Sequence, residues 1–221
     1  MRRHVLWVLA LLALPRMASA QQAELEAEAD EPERGTLIFN LRGGGYVRAD
    51  DGYLAHAQTF GFDRIAQASG GVLEAGVQAA PRVWLFASYS GFESRAQRRL
   101  SKLELGSEAI LAHVRYEVWS WRSHPRYPWL YLNPQPGHLR LALQASAGAG
   151  LYRLHESLDE AVQDASAFGL RVGGDFLLHW HWLGFVIGYA YHHTSAQVGD
   201  RLGGTVSAGG HEISLGLSLR F

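Results

Sequence analysis

From Thr36 onward, apolar and polar side chains alternate with a period of two in eight separate stretches. A period of two puts every second residue on the same face of a β-strand. Thr36–Arg48 sets Leu37, Phe39, Leu41 and Val47 against Asn40, Arg42 and Tyr46. Gly71–Ala79 sets Leu73, Ala75 and Val77 against Glu74 and Gln78, and Arg82–Gly91 follows less regularly. The fourth stretch ends at Trp119 and opposes Ile110, Ala112, Val114, Tyr116 and Val118 to His113, Arg115 and Glu117. His138–Arg153 places Leu139, Leu141, Leu143 and Leu151 opposite Arg140, Gln144, Ser146 and Tyr152. The sixth opposes Phe168, Leu170, Val172, Phe176 and Leu178 to Arg171, Asp175 and His179. The seventh carries Leu183, Phe185, Ile187, Tyr189 and Tyr191. The eighth alternates from Ile213 through Leu215, Leu217 and Leu219 to Phe221. Each is near the ten residues that a tilted strand needs to cross lipid.

A perfectly alternating strand left open in water is an aggregation hazard. Closing the sheet into a barrel removes both edges. The eight stretches therefore predict an all-β fold, an eight-stranded antiparallel up-and-down transmembrane β-barrel over residues 35–221. Two faces compete for the inside. In a soluble barrel that resembles a lipocalin, the apolar face would point inward. Here the polar faces are rich in Gly, Ser and Ala, with a few charges of both signs. Such a face suits a narrow lumen, where Glu74, His113, Arg115, Glu117, Arg171 and Asp175 can pair. The bulky Leu, Ile, Phe and Tyr face suits lipid.

The connections support this orientation. The second and third strands are joined by Ala79-Ala80-Pro81-Arg82, and the sixth and seventh by Trp180-His181-Trp182. The connections after the first, third and fifth strands are read as longer loops. Short turns at one end and long loops at the other describe an outer-membrane barrel with its turns in the periplasm. The Pro- and Trp-rich connection 120–137 breaks that rule by its length. Trp84, Trp119, Trp121, Trp129, Trp180 and Trp182 all fall at the turn end, as does Phe221. They are read as an aromatic girdle at headgroup level. Tyr89, Tyr152, Tyr189 and Tyr191 form a second, weaker girdle towards the other end.

The beginning of the chain fits the same setting. Arg2 and Arg3, an apolar run from Val5 to Leu14 and Ala18-Ser19-Ala20 have the form of a secretory signal peptide over residues 1–20. Ten apolar residues are too few to be a membrane helix. Residues 21–34 hold six acids and one large apolar residue, and are read as a disordered leader in the periplasm. The chain has no cysteine, which excludes a disulfide framework and a lipid anchor on sulfur. A formal net charge of −1 gives no footing for a nucleic-acid partner. Lys102 is the only lysine, unlike the surface of most soluble domains.

The last strand, with its terminal Phe221, resembles the C-terminal signal by which bacterial outer-membrane proteins are recognised by their assembly machinery. That resemblance implies the barrel assembly machinery as a partner and the outer membrane as the location.

Two stretches carry candidate chemistry. In Tyr189–Asp200, His193-Thr194-Ser195 puts an imidazole and a hydroxyl two residues apart on one face. By parity both continue the face of Leu183, Phe185 and Ile187, towards lipid. A hydroxyl nucleophile needs an adjacent base, and the base an orienting partner. This arrangement resembles the outer-membrane lipid A 3-O-deacylases, eight-stranded barrels with a lipid-facing His-x-Ser pair and a Glu on the last strand. The resemblance implies His193 as general base and Ser195 as nucleophile. On the last strand the outward position is His211, while Glu212 has inward parity. The alternative is that His192, His193, Thr194 and Ser195 are a polar strand exit. The second stretch is basic. Arg95, Arg98, Arg99 and Lys102 lie in Arg95–Lys102, read as an outer loop that meets lipopolysaccharide phosphates or water. Neither the His pairs nor any other spacing gives a third ligand for a metal. No cofactor is indicated.

Three functional classes stand open. The first is a non-porin barrel with a filled interior and a structural or surface-interaction role in the envelope. The second is a lipid A or phospholipid acyl hydrolase using Ser195. The third is a narrow channel.

Overall fold

The computed structural model describes residues 36–48, 57–63, 68–122, 139–159, 161–180, 182–199 and 205–221. The expected signal peptide, the acidic leader, Trp129 and nearly all of connection 120–137 lie outside them. Ten strands follow in order. They are β1 (Leu37–Arg48), β2 (Ala68–Ala80), β3 (Val83–Arg98), β4 (Ser101–Arg122), β5 (Leu139–Leu158) and β6 (Ala161–Trp180). Then come β7 (Leu183–Thr194), β8 (Gln197–Gly199), β9 (Thr205–Ser207) and β10 (Gly210–Arg220). β1 to β7 and β10 form a closed antiparallel barrel in which each strand pairs with its neighbours in sequence, and β1 pairs with β10. β8 and β9 make a separate two-stranded ribbon between β7 and β10.

Closure is made by the two terminal strands. Ile38 lies opposite Arg220 and Arg48 opposite Gly210. Leu37 and Phe221 exchange backbone hydrogen bonds of 2.9 Å in both directions. The alternation sorts the two faces as the sequence predicts. Leu41, Ile110, Leu151, Ile213 and Leu215 are each at least 60 % exposed, while Glu74, Arg115 and Asp175 are almost fully buried. A girdle of Leu, Ile, Phe and Val around the whole ring is far larger than the apolar patches of a water-soluble surface. It is the surface of a barrel that spans lipid.

Two predicted loops are strand instead. β3 continues to Arg98 and β4 begins at Ser101, paired down to Arg98↔Ser101. β5 and β6 likewise pair up to Leu158↔Ala161. The reason is a continued alternation of a different kind. Ser94, Ala96, Leu103, Leu105 and Leu154 face inward and are buried, while Glu93, Arg95, Lys102 and Arg153 face water. Four strands thus project beyond the apolar girdle. The turns are tight, with Arg99 at φ 49° and Asp159 at φ 56°.

The upper lumen is closed by apolar packing. Ala57 and Phe62, beside one helical turn at 57–59, meet Leu103, Leu105, Leu111 and Leu154. Val198 of β8 and Val206 of β9 join the same cluster. Phe62 and Ala57 enter from the connection after β1, and the β8–β9 ribbon from the one after β7. Asp63 N–H donates to the Gln97 carbonyl at 3.0 Å, which ties the first of these to the top of β3.

Candidate functional site

The middle of the lumen is a continuous ion-pair network. Glu74 of β2 accepts from Arg42 of β1, Arg115 of β4 and, at 2.8 Å, from Asn40. Asp175 of β6 pairs with Arg42 from the opposite wall and stands 3.3 Å from Arg115 Nε. His113 Nε2 lies 3.7 Å from Glu74. Two arginines and two carboxylates therefore bridge four strands across the axis. Burying one such charge unpaired is very costly, and mutual pairing offsets the desolvation. Strand alternation supplies the inward direction. Glycine supplies the room, because a Cβ at Gly188 would sit 2.4 Å from both Arg42 Nη1 and Asp175 Oδ1. Lower down, Arg140 pairs with Glu117, and His179 Nε2 meets Ser218 Oγ at 2.7 Å. Ile38, Trp84 and Phe86 pack beneath.

Above the network lies a chain of hydrogen bonds not foreseen from the sequence. Glu212 of β10 meets His192 Nε2 at 3.0 Å, and His192 Nδ1 meets the Tyr152 hydroxyl at 2.9 Å. Ser214 donates to the other carboxylate oxygen at 3.0 Å. The order carboxylate, imidazole, hydroxyl is that of a nucleophilic site. All three residues are at most 2 % exposed, however, beneath the apolar packing of the upper lumen. A sealed chain of this kind orients side chains and joins β5, β7 and β10; it offers a reactant no approach.

The proposed acyl-transfer residues are thereby split. His193 and Ser195 do share the outward face, both exposed, as parity requires. Glu212 is on the inner side of the wall and serves His192, the neighbour of His193. His211 faces outward, but its Nδ1 meets the Tyr189 hydroxyl at 2.7 Å and its ring lies against Tyr191. His211 and Glu212 are consecutive residues of a regular ladder, opposite Tyr191 and Ala190. Glu212 has the inward parity read from the sequence, and strand pleating, which sends neighbours to opposite faces, leaves it unable to orient His193 for Ser195.

The basic stretch is a hairpin rather than a loop. Arg95 pairs with Glu93 at 3.0 Å and Glu104 at 3.1 Å, and Lys102 pairs with Glu104. Lys102 lowers the Glu104 carboxyl below its ordinary value, chiefly through their hydrogen bond. Two of the four cations foreseen for phosphate thus face carboxylates first. Arg98 and Arg99 are exposed at the tip. Next to the hairpin, a groove of about 570 Å³ is floored by Gly70, Gly91 and Gly106 and walled by Glu93, Glu104, Glu108, Arg153 and His155. On its far side Asp164 takes bonds from His155 at 2.8 Å and Arg153 at 3.2 Å, which hold its carboxyl below the usual range.

The aromatic girdle needs one further correction at each end. Trp119, Trp180, Trp182 and Phe221 are exposed on the outer face, and Trp121 is half-buried. Trp119 faces outward because a bulge between Glu117 and Trp119 shifts the register. Trp84 is fully buried inside the lumen, since it shares the parity of Phe86 and not of Leu85. Tyr152 likewise belongs to the lumen, whereas Tyr89 and Tyr189 are exposed.

No protein-family model and no curated protein matches this chain. Solved structures resemble it in shape. The N-terminal β-barrel domain of OprF from Pseudomonas aeruginosa aligns with 12 % identity and a TM-score of 0.48, over 85 % of this chain and 98 % of that one. OprG from the same organism aligns with 12 % identity and a TM-score of 0.48, over 85 % and 96 %. Neisserial surface protein A aligns with 13 % identity and a TM-score of 0.47, over 84 % and 96 %.

Proposed function

We propose that this chain is an integral outer-membrane barrel that does not conduct, and that it acts through its rigid wall and its projecting outer rim. The filled lumen carries this reading. Glu74, Arg42, Arg115 and Asp175 cross the axis, and apolar packing from Phe62 and the β8–β9 ribbon lies above them. A pore would need a water-lined path between these two layers. The projecting part of β3 to β6 then presents charged side chains of both signs to the headgroup region. Lipopolysaccharide and other outer-membrane lipids are the partners this surface supports. The alternating β10 with Phe221 supports delivery by the barrel assembly machinery, and the amino-terminal pattern supports export before that.

The test is electrical. Purified chain, shown to be folded by heat-modifiable migration in gels, is inserted into planar bilayers. Absence of unitary conductance steps is the expected result. Regular steps that respond to substitution of Arg42 or Asp175 would replace this reading with the narrow channel.

A further inference from the structure

The groove of about 570 Å³ beside the β3–β4 hairpin opens on the outer face of the wall. Its volume is that of a small-molecule site. Lipid-facing side chains bound it below. Tyr89, Ile110, Leu151 and Phe168 form one row across β3 to β6, and all four are exposed. Two residues further along each strand stand Gly91, Glu108, Arg153 and Ser166. Two beyond those stand Glu93, Gly106, His155 and Asp164. A step of two residues is about 7 Å along a strand, so the groove sits at headgroup level directly over the apolar girdle. Two of its floor positions are bare without a packing reason. A Cβ at Gly91 would come no closer than 3.6 Å to Tyr89, and one at Gly106 no closer than 3.7 Å to His155. Both are ordinary contacts, whereas the same addition at Gly188 falls 2.4 Å from two charged groups.

The charges are divided across the groove. Glu93, Glu104 and Glu108 stand on the β3–β4 side, Arg153 and His155 on β5. Glu93 and Glu104 share Arg95, and Glu104 also has Lys102. Glu108 has the Tyr89 hydroxyl and no ion-pair partner among the described residues. It is the unbalanced negative charge, at the foot of the groove nearest the lipid. On the other side Arg153 and His155 each use one nitrogen on Asp164 and line the groove with the rest of the side chain. A cation at Glu108 therefore has an anion-binding wall opposite it. Carboxylates accept N–H bonds from a primary ammonium, and a quaternary one has no N–H to give. We propose that the groove holds the headgroup of a membrane lipid in which a phosphate is joined to a primary ammonium. The ammonium sits on Glu108 and Glu93, the phosphate on Arg153 and His155, and the acyl chains run down over Ile110 and Leu151. The site rests on the reading of the projecting rim as the part that meets lipid headgroups, and gives that rim a lipid class and a place.

The experiment is NMR of the full chain in dihexanoylphosphatidylcholine micelles, titrated with dihexanoylphosphatidylethanolamine. The micelle already supplies phosphate and quaternary ammonium, so a response reports the primary ammonium. The amides of Gly91, Gly106 and Glu108 are expected to shift saturably, and those of Ile213 and Leu215 on the opposite wall to stay in place. Glu108→Gln should weaken the apparent affinity roughly tenfold. Gly106→Val fills the floor and should abolish the response. Dihexanoylphosphatidylglycerol, a phosphate without ammonium, and hexylamine, an ammonium without phosphate, should not reproduce it. An equal effect of the phosphatidylglycerol would overturn the role of the carboxylates, and an equal effect of hexylamine that of Arg153 and His155. A response undiminished in Glu108→Gln or in Gly106→Val overturns the placement, and no response in the native chain overturns the site itself. A spin label on the acyl chain of the added lipid should broaden the Ile110 and Leu151 amides. Broadening without a headgroup response overturns this site alone; its absence overturns the site together with the membrane reading beneath it.

Discussion

Replacing Glu74 by Gln tests whether the lumen is held by paired charge. The substitution keeps volume and shape but removes the negative charge that faces Arg42 and Arg115 and accepts from Asn40. Asp175 then remains the sole carboxylate for two buried guanidiniums. Removing one partner of a buried pair costs about 3–5 kcal/mol, because the other charge is left desolvated. With a urea dependence of about 1–3 kcal/mol per M, the unfolding midpoint should fall by roughly 1–5 M. The assay is urea titration of the chain in bilayers, followed by tryptophan emission and gel mobility. Asp164→Asn is the control, since its partners Arg153 and His155 are exposed and it should leave the midpoint unmoved. A combined replacement of Glu74, Asp175, Arg42 and Arg115 by apolar residues of similar volume should recover most of the loss. A Glu74→Gln shift no larger than that of the control would refute the reasoning. It would mean that water reaches the network and that the lumen is not sealed.

Four further outcomes follow from the geometry. Gly188→Ala should lower the same midpoint, because its methyl group falls within 2.4 Å of both Arg42 Nη1 and Asp175 Oδ1; an unchanged midpoint would show that the pair can shift aside. In single-tryptophan variants, brominated lipid should quench Trp119, Trp180 and Trp182 but spare Trp84; strong quenching of Trp84 would place it outside the lumen. The spectrum of lipid A from a Gram-negative host lacking its own deacylase should be the same with the native chain and with Ser195→Ala. Loss of an acyl chain with the native chain only would establish the hydrolase despite the inward Glu212. The Asp164 carboxyl, outside the membrane span, should titrate below the ordinary aspartate value by NMR, and His155→Gln should raise it. The sign is that of a depressed carboxylate: whatever stability the contact provides is present at neutral pH and is lost as pH falls through the folded value. An aspartate titrating normally would show that the contact with His155 does not persist in solution.

The barrel was legible because its defining signal is local. Alternation in Leu37–Leu41, Ile110–Val118 or Ile213–Phe221 fixes both the strand and the face that meets lipid. The projecting strands were hidden by the same rule, since Arg95, Arg98, Arg99 and Lys102 read as a solvated loop when charge is weighed ahead of parity. The small inward residues Ser94 and Ala96 were the available signal. Trp84 shows the same conflict: its residue type points to the girdle, while its phase, that of Phe86, points into the lumen. The bulge that turns Trp119 outward leaves no mark in the sequence. Inward parity was assigned correctly to Glu212, but nothing local could pair it with His192 and Tyr152, because a lumen brings together residues chosen by ring closure. Arg48 is the strongest case. Its phase is that of Arg42, and only the three-dimensional arrangement shows that, among the described residues, Arg42 has carboxylate partners and Arg48 does not.

Closure by β1 against β10 also sets the order in which the molecule comes into being. Every other pair in the ring joins strands much closer in sequence, so that less chain is constrained when they pair. The β1–β10 seam joins the two ends of the barrel-forming sequence, so its loop-closure entropy is the largest and its contact order the highest. Until it forms, the sheet has two free edges, and Arg42 on β1 and Asp175 on β6 lack the enclosure that pairs them. Closure of the seam is therefore the step expected to limit the folding rate. Substitutions along it, at Leu41↔Leu217 or Gly45↔Ile213, should slow folding more than substitutions of equal equilibrium cost between β4 and β5.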